Sequence, residues 1–213
     1  MIISISHTKG GVGKSTLAFN LAYVLSLSSE VEILDLDYQK TLTYINQYRK
    51  EPFNIKSFEN IDELKKYFLL DHSNKITIVD VGGFDSDTNR LAMIMSDIII
   101  TPVSDSSTEL LGLSKFAKTL NEISKVLEEN IIARVVLNQI SPQKSKLDEL
   151  KKHINNYENF TLFDTILRTR ADYGKAIDDG KSVNEFLPDS KASIEFNAFV
   201  DEIKKIIKEV QNG

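Results

Sequence analysis

An α/β fold, with a mostly parallel twisted sheet covered by helices on both faces, is what the sequence predicts, and three observations predict it. Short β-branched runs alternate with amphipathic stretches of helical spacing along the whole chain. Runs such as IIIT and ARVVL show no polar alternation, as befits strands buried on both sides. A glycine-rich turn, KGGVGKST, lies between the first strand-like run and the first helical one.

In order, IISIS reads as a strand and LAFNLAYVLSL as a helix beginning near Ser15. VEILDLD is expected to be a buried strand, with Asp35 and Asp37 alternating so that both point to the same side. IDELKKYFLL reads as an amphipathic helix, and KITIVDVGG as a strand ending in a glycine turn. TNRLAMIMSD follows as a helix, and IIITPV as a strand stopped by Pro102. A long helix fits TELLGLSKFAKTLNEISKVLEE, with a strand next in IIARVVLNQ. Residues 146–157 are expected to be helical, FTLFDTIL a short strand and residues 191–210 the final helix. No repeat, low-complexity tract or linker interrupts the series, so residues 1–213 read as a single domain.

The chain has 213 residues, 41% hydrophobic and 27% charged, which is ordinary for a globular protein with one well-covered core. Having no cysteine, it lacks disulfides, thiolate metal sites and cluster ligands. His7, His72 and His153 fall in unrelated elements, which argues against a histidine metal site. No apolar run reaches the roughly 20 residues that cross a bilayer. MIISIS runs straight into the glycine turn without room for a signal peptide, so a cytoplasmic location is expected. The net charge of -5 argues against coating nucleic acid through a global field, so any such contact needs a local basic patch.

The stretch HTKGGVGKST carries two lysines where the ordinary phosphate loop, G-x-x-x-x-G-K-[ST], needs one. Thr8 takes the place of the first glycine, and Lys9 adds a charge. Gly10, Gly11 and Gly13 let backbone N–H groups close around phosphate oxygens, and the helix near Ser15 adds its positive end. Lys14 is placed for the β- and γ-phosphates, and the Ser15 hydroxyl for Mg²⁺. Asp80 closes the apolar run ITIVD, where a carboxylate without a task is poorly solvated. Asp35 and Asp37 repel each other unless a cation or water network lies between them; otherwise one caps the next helix near Thr41.

KGGVGKST, DLDYQ and IVDVGG together resemble the deviant Walker A family of ATPases, which includes ParA, MinD and relatives. The resemblance extends through MSDIIITPVSDSSTELLGL and RTRADYGKAIDDGKSV, and is greatest to the short ParA subgroup typified by ParF. It implies a single-domain P-loop NTPase fold without an N-terminal DNA-reading domain, with ATP and Mg²⁺ as cofactors. The residues from Lys9 to Thr16, Val12 included, would cradle the nucleotide. Lys9 corresponds to the family's signature lysine, which reaches the phosphates of a partner's ATP across a dimer. At roughly 4 Å and a surface-like dielectric, such a cation gains about 4 kcal/mol of gross attraction, and only when two protomers face each other. By the same resemblance Asp37 orients the attacking water, Asp35 and Asp80 anchor hydrated Mg²⁺, and Asn138 reads the adenine edge. Tyr38 departs from the pattern, standing where the family usually has proline.

The resemblance implies a DNA-partition ATPase. Its ATP-bound homodimer would bind DNA without sequence preference, through Arg168 and Arg170 with Lys175, Lys144 and Lys146 nearby. A small DNA-binding partner of the ParB/ParG kind would stimulate hydrolysis, and the protein would associate with the nucleoid. A MinD-like membrane regulator is the alternative, and it needs a basic amphipathic C-terminus. Glu195, Asp201, Glu202 and Glu209 interrupt that face in the last helix, so a docked core helix and no stable membrane association are expected. A relative that positions protein cargo on the nucleoid would use the same DNA chemistry. DSDTNR, after Gly82 and Gly83, is expected to be a second switch or a plain surface loop.

Overall fold

The computed structural model describes residues 1–70, 72 and 74–212. The strands are β1 (Ile2–Ile5), β2 (Val31–Asp35), β3 (Asn54–Lys56), β4 (Ile76–Asp80), β5 (Ile98–Val103), β6 (Ala133–Ile140) and β7 (Phe160–Arg168). The helices are α1 (Lys14–Ser26), α2 (Thr41–Asn46), α3 (Ile61–Phe68), α4 (Asp87–Ile94), α5 (Ser107–Leu127), α6 (Asp148–Ile154), α7 (Ala171–Asp178), α8 (Val183–Phe186) and α9 (Lys191–Asn212). Among the described residues the strands form one sheet in the order β3-β2-β4-β1-β5-β6-β7, and every neighbouring pair is parallel.

Strand periodicity divides the core. Ile3, Ile5, Ile33, Ile78, Ile100, Val136 and Phe163 point to one face and pack under α1 and α9. On the opposite face Ile99, Val103, Val135 and Leu137 meet α5 and α6, while Ile2, Leu34 and Val79 meet α3 and α4. Helix α1 is enclosed by both neighbours and sheet; even Asn20 is buried, giving its amide hydrogen to Thr16 O and accepting from Val183 N of α8.

Strand β7 lies at a sheet edge, where unpaired N–H groups need partners. Helix α9 supplies them. Glu202 accepts from Asp164 N at 2.9 Å and Thr165 N at 2.8 Å, and Glu195 accepts from Arg168 N at 3.1 Å. Two of the acidic residues that interrupt α9's basic face, Glu195 and Glu202, thus cap the sheet edge, while Phe196, Phe199, Val200 and Ile203 are buried. Among the described residues no helix is long and apolar enough to cross a membrane.

Two expectations fail in detail. The strand through LDLD stops at Asp35, because pairing with β4 ends at Asp35–Asp80 and Asp37 folds into a turn with its carboxylate on Gln39 N. The two aspartates therefore do not alternate along one strand. Pro102 does not stop β5, which continues to Val103. Ile100 accepts from Ser6 N, so residue 102 faces the same side, where β1 pairing has already ended and no N–H is demanded.

Candidate active site

The glycine loop follows β1 at the carboxyl end of the sheet, as ligand sites of such sheets do. Gly11 and Gly13 have φ of 80° and 93°, a left-handed backbone that favours glycine. A Cβ on Gly13 would also lie 2.5 Å from Asn138 Nδ2. No side chain caps α1, and its first turn carries no acidic residue, which leaves its amino-terminal N–H groups for an anion. Lys14 is buried and donates to Lys9 O at 3.2 Å. Burial holds its pKa below the ordinary lysine value, with the charges of Asp80 and Asp37 acting the other way.

Beside this loop is a cavity of about 520 Å³, lined among others by Gly13, Ser15, Thr16, Asp37, Gln39 and Gln139. That volume suits a nucleotide-sized ligand. Asp35 and Asp80 are register partners on adjacent strands, and both are fully buried. Neither Asp80 oxygen has a hydrogen-bond partner among the described residues, and neither has Asp35 Oδ1. Asp35 Oδ2 is held by Thr43, from its N at 2.9 Å and its Oγ1 at 2.7 Å, so Asp35 rather than Asp37 binds the first turn of α2. Burial pushes the Asp80 carboxyl up to about 7; the Ser15 hydroxyl and Lys14 offset it in part, and Asp35 and Asp37 add to it. Orphaned carboxylate oxygens next to Ser15 and a phosphate loop fit a Mg²⁺ that keeps most of its water. Among the described residues no group of three or more His, Cys, Asp or Glu could hold a metal ion.

Asp37 stands on the cavity wall in a turn fixed by Gln39 N on its Oδ1 at 2.9 Å and Lys40 N on its carbonyl at 3.1 Å. This Asx turn fixes the backbone on either side of Tyr38. Tyr38 is left 89% exposed at the rim. Lys40, missed by sequence reasoning, adopts φ of 49° and donates to Asp35 O at 2.7 Å. Gly83 crosses the loop so closely that a Cβ there would lie 2.5 Å from Gly10 N. Of DSDTNR, Ser86 caps α4, Asp85 pairs with Arg90 and Asn89 binds the carbonyls of Gly82 and Phe84.

Asn138 is buried with Nδ2 on Val12 O at 2.8 Å, so its amide nitrogen braces the phosphate loop. The next residue, Gln139, went unread. It sits at a register shift of β6 with φ of 56°, lines the cavity and approaches Gly11 O at 3.4 Å. Bulges re-aim side chains in this way, but no local sequence signal marks them. Arg168 and Arg170 lie apart from the cavity. Arg168 donates to Ser141 O at 3.0 Å and Lys144 O at 2.6 Å, and Arg170 pairs with Glu195 at 2.5 Å. Lys144 reaches Asp105 at 2.7 Å, and Lys175 is in the last turn of α7.

Residues 3–183 match the family described as the CobQ/CobB/MinD/ParA nucleotide binding domain. The chain belongs to this family. The match spans the phosphate loop and both buried aspartates, and identifies a ParA/MinD-type ATPase with the P-loop NTPase fold. Among relatives of this family, the maintenance of carboxysome distribution protein A of Halothiobacillus neapolitanus is 23% identical, over 98% of this chain and 95% of its own. The apo McdA structure from Cyanothece superposes with a TM-score of 0.76 at 17% identity, over 97% of this chain and 98% of that one. A plasmid partition protein of Borrelia burgdorferi bound to AMPPNP gives 0.73 at 18%, covering 96% and 98%. MinD of Pyrococcus horikoshii complexed with Mg-ADP gives 0.74 at 15%, covering 98% of each chain.

Proposed function

We propose that the chain is a ParA-type partition ATPase. It hydrolyses ATP with Mg²⁺ as a nucleotide-dependent homodimer that binds DNA without sequence preference. A small ParB/ParG-like DNA-binding partner stimulates turnover and releases it, which segregates plasmid or chromosomal DNA. The observation carrying the ATPase chemistry is the set of unpartnered buried carboxylate oxygens, one on Asp35 and two on Asp80, with Asp80 beside Ser15 and Lys14 of the phosphate loop.

In this reading the loop N–H groups and Lys14 bind the phosphates, while Ser15, Asp35 and Asp80 hold the hydrated cation. Mg²⁺, when bound, offsets negative charge on the transferring phosphoryl group. Asp37, fixed in its Asx turn, orients the attacking water for in-line displacement. Lys9 serves the partner's nucleotide. Asn138 and Gln139 hold the loop from β6, with the Asn138 carbonyl oxygen left for the adenine edge. Arg168 and Arg170 supply the DNA contacts, Glu195 giving way to phosphate at Arg170.

Full-length similarity to a carboxysome distribution protein favours a second reading, in which the cargo is a protein body positioned along DNA. Binding to an arbitrary DNA duplex, followed by fluorescence anisotropy across salt with ATP or ADP, tests both. ATP-dependent binding is expected, with Arg170→Ala weakening it about tenfold and reducing the salt slope by about one. Equal binding with ADP, or attachment to anionic vesicles in place of DNA, would contradict the proposal. Which partner accelerates hydrolysis, a DNA-binding protein or a cargo adaptor, separates the two readings.

A further inference from the structure

The sequence offers no task for His7, yet the structure surrounds it with unusual care. Its side chain is 2% exposed, and its Nδ1 accepts the backbone N–H of Lys9 at 3.0 Å. The ring stacks on Phe116 of α5, centroids 5.8 Å apart and planes at 22°. Thr8 Oγ1 donates to Gly112 O of the same helix at 3.0 Å. A Cβ on Gly112 would lie 2.9 Å from His7 Cε1 and 3.5 Å from Lys9 Cβ. A glycine inside a helix costs about 1 kcal/mol relative to alanine, so this one has a packing reason: it admits the loop.

We propose that His7 is the positioning residue for Lys9, locking the lysine's backbone to α5 so that its side chain leaves the loop in one fixed direction before nucleotide binds. The inference rests on the reading of Lys9 as the cation that serves a partner's nucleotide. A neutral imidazole is required, because only a deprotonated Nδ1 accepts. Burial first, then the charges of Lys14 and Lys9, hold the His7 pKa down at about 4, so the ring stays neutral at physiological pH. The proton then lies on Nε2, which has no partner among the described residues. His7 also borders a cavity of about 10 Å³ shared with Ser6, Asp85, Asn89 and Thr119, and Ser6 Oγ is equally unpartnered. That volume is about the least that holds one water. Through it the lysine loop adjoins the segment carrying Phe84 and Asp85.

Asparagine places an acceptor oxygen the same number of bonds from the backbone as Nδ1, whereas leucine fills similar space with no acceptor. The test compares His7→Asn and His7→Leu with the wild type by amide exchange of Lys9 without nucleotide, and by sedimentation with a non-hydrolysable ATP analogue. His7→Leu is expected to speed Lys9 exchange and weaken analogue-dependent association, each about tenfold, and His7→Asn to restore both to within about threefold. Association of His7→Leu at wild-type strength, or equal loss in both variants, would overturn the proposal. If the wild type itself does not associate, the reading of Lys9 falls instead, and the exchange data still decide whether His7 holds the loop. Should His7→Leu not fold, the imidazole ¹⁵N shifts of the wild type decide: an Nε2–H ring with Nδ1 accepting supports the assignment, and a charged or Nδ1–H ring overturns it.

Discussion

Asp80 ends β4 wholly buried, with no partner for either oxygen among the described residues. Such a carboxylate destabilises the empty protein, because desolvation penalises its charged form. Its pKa, raised to about 7, means that its favourable contribution is complete below the ordinary carboxylate range and is lost as pH rises through 7. Asp80→Asn is therefore expected to raise the stability of the nucleotide-free protein at pH 8 by about 1–2 kcal/mol in urea denaturation, while abolishing ATP hydrolysis. A less stable Asp80→Asn protein would show that the carboxylate has a partner. Residues of this kind were legible because their signal is local: a glycine loop, or an acid closing an apolar run. Asn138 was singled out only through the family resemblance, as a contact to the adenine edge. That its amide braces Val12, 126 residues away, is set by how β6 lies beside the loop.

The long apolar strands and the helices of two turns or more could mostly be read from periodicity, since burial on both faces keeps β1, β4, β5 and β6 mainly apolar, without regular polar alternation. Helices α2 and α8 and strand β3, of 6, 4 and 3 residues, are too short for a period to show. Tertiary contacts sustain them. Arg49, after α2, forms a two-pronged ion pair with Glu185 of α8 and lies 4.1 Å above the Phe53 ring. Strand β3 is held by Glu32, buried in β2, which takes Lys56 and Lys75 at 2.7 Å each, Asn54 at 2.9 Å and the Tyr67 hydroxyl. Burial alone would raise the Glu32 carboxyl, but the hydrogen bonds from Lys56, Lys75 and Tyr67 outweigh it and hold the pKa at about 2. This lowered value makes Glu32 stabilising above its unfolded value of 4.5, with that stability lost as pH falls towards about 2. Glu32→Gln is expected to cost about 2–3 kcal/mol at pH 7 and to flatten the acid denaturation curve across that window. An unchanged curve would mean that the network contributes nothing.

Across the whole molecule, the sheet brings Asp35, Asp80 and the glycine loop to one end, while Arg168 closes the edge strand β7 and Arg170 follows it at the start of α7. Both faces of the sheet are occupied, and α9 is bound to it by apolar contacts and by Glu195 and Glu202. A membrane-seeking role for α9 would expose that apolar stripe and uncap the edge. The end that holds the glycine loop carries the exposed Tyr38 and Phe84 around the cavity, with Lys9 in that loop. Two copies meeting there would cover this apolar rim and give each Lys9 a phosphate. Sedimentation velocity of the wild type and Lys9→Ala, each with a non-hydrolysable ATP analogue and with ADP, tests that assembly most directly. Dimers are expected only for the wild type with the analogue; a monomeric wild type, or an equally dimeric Lys9→Ala, would contradict a role for Lys9 in joining two copies through nucleotide.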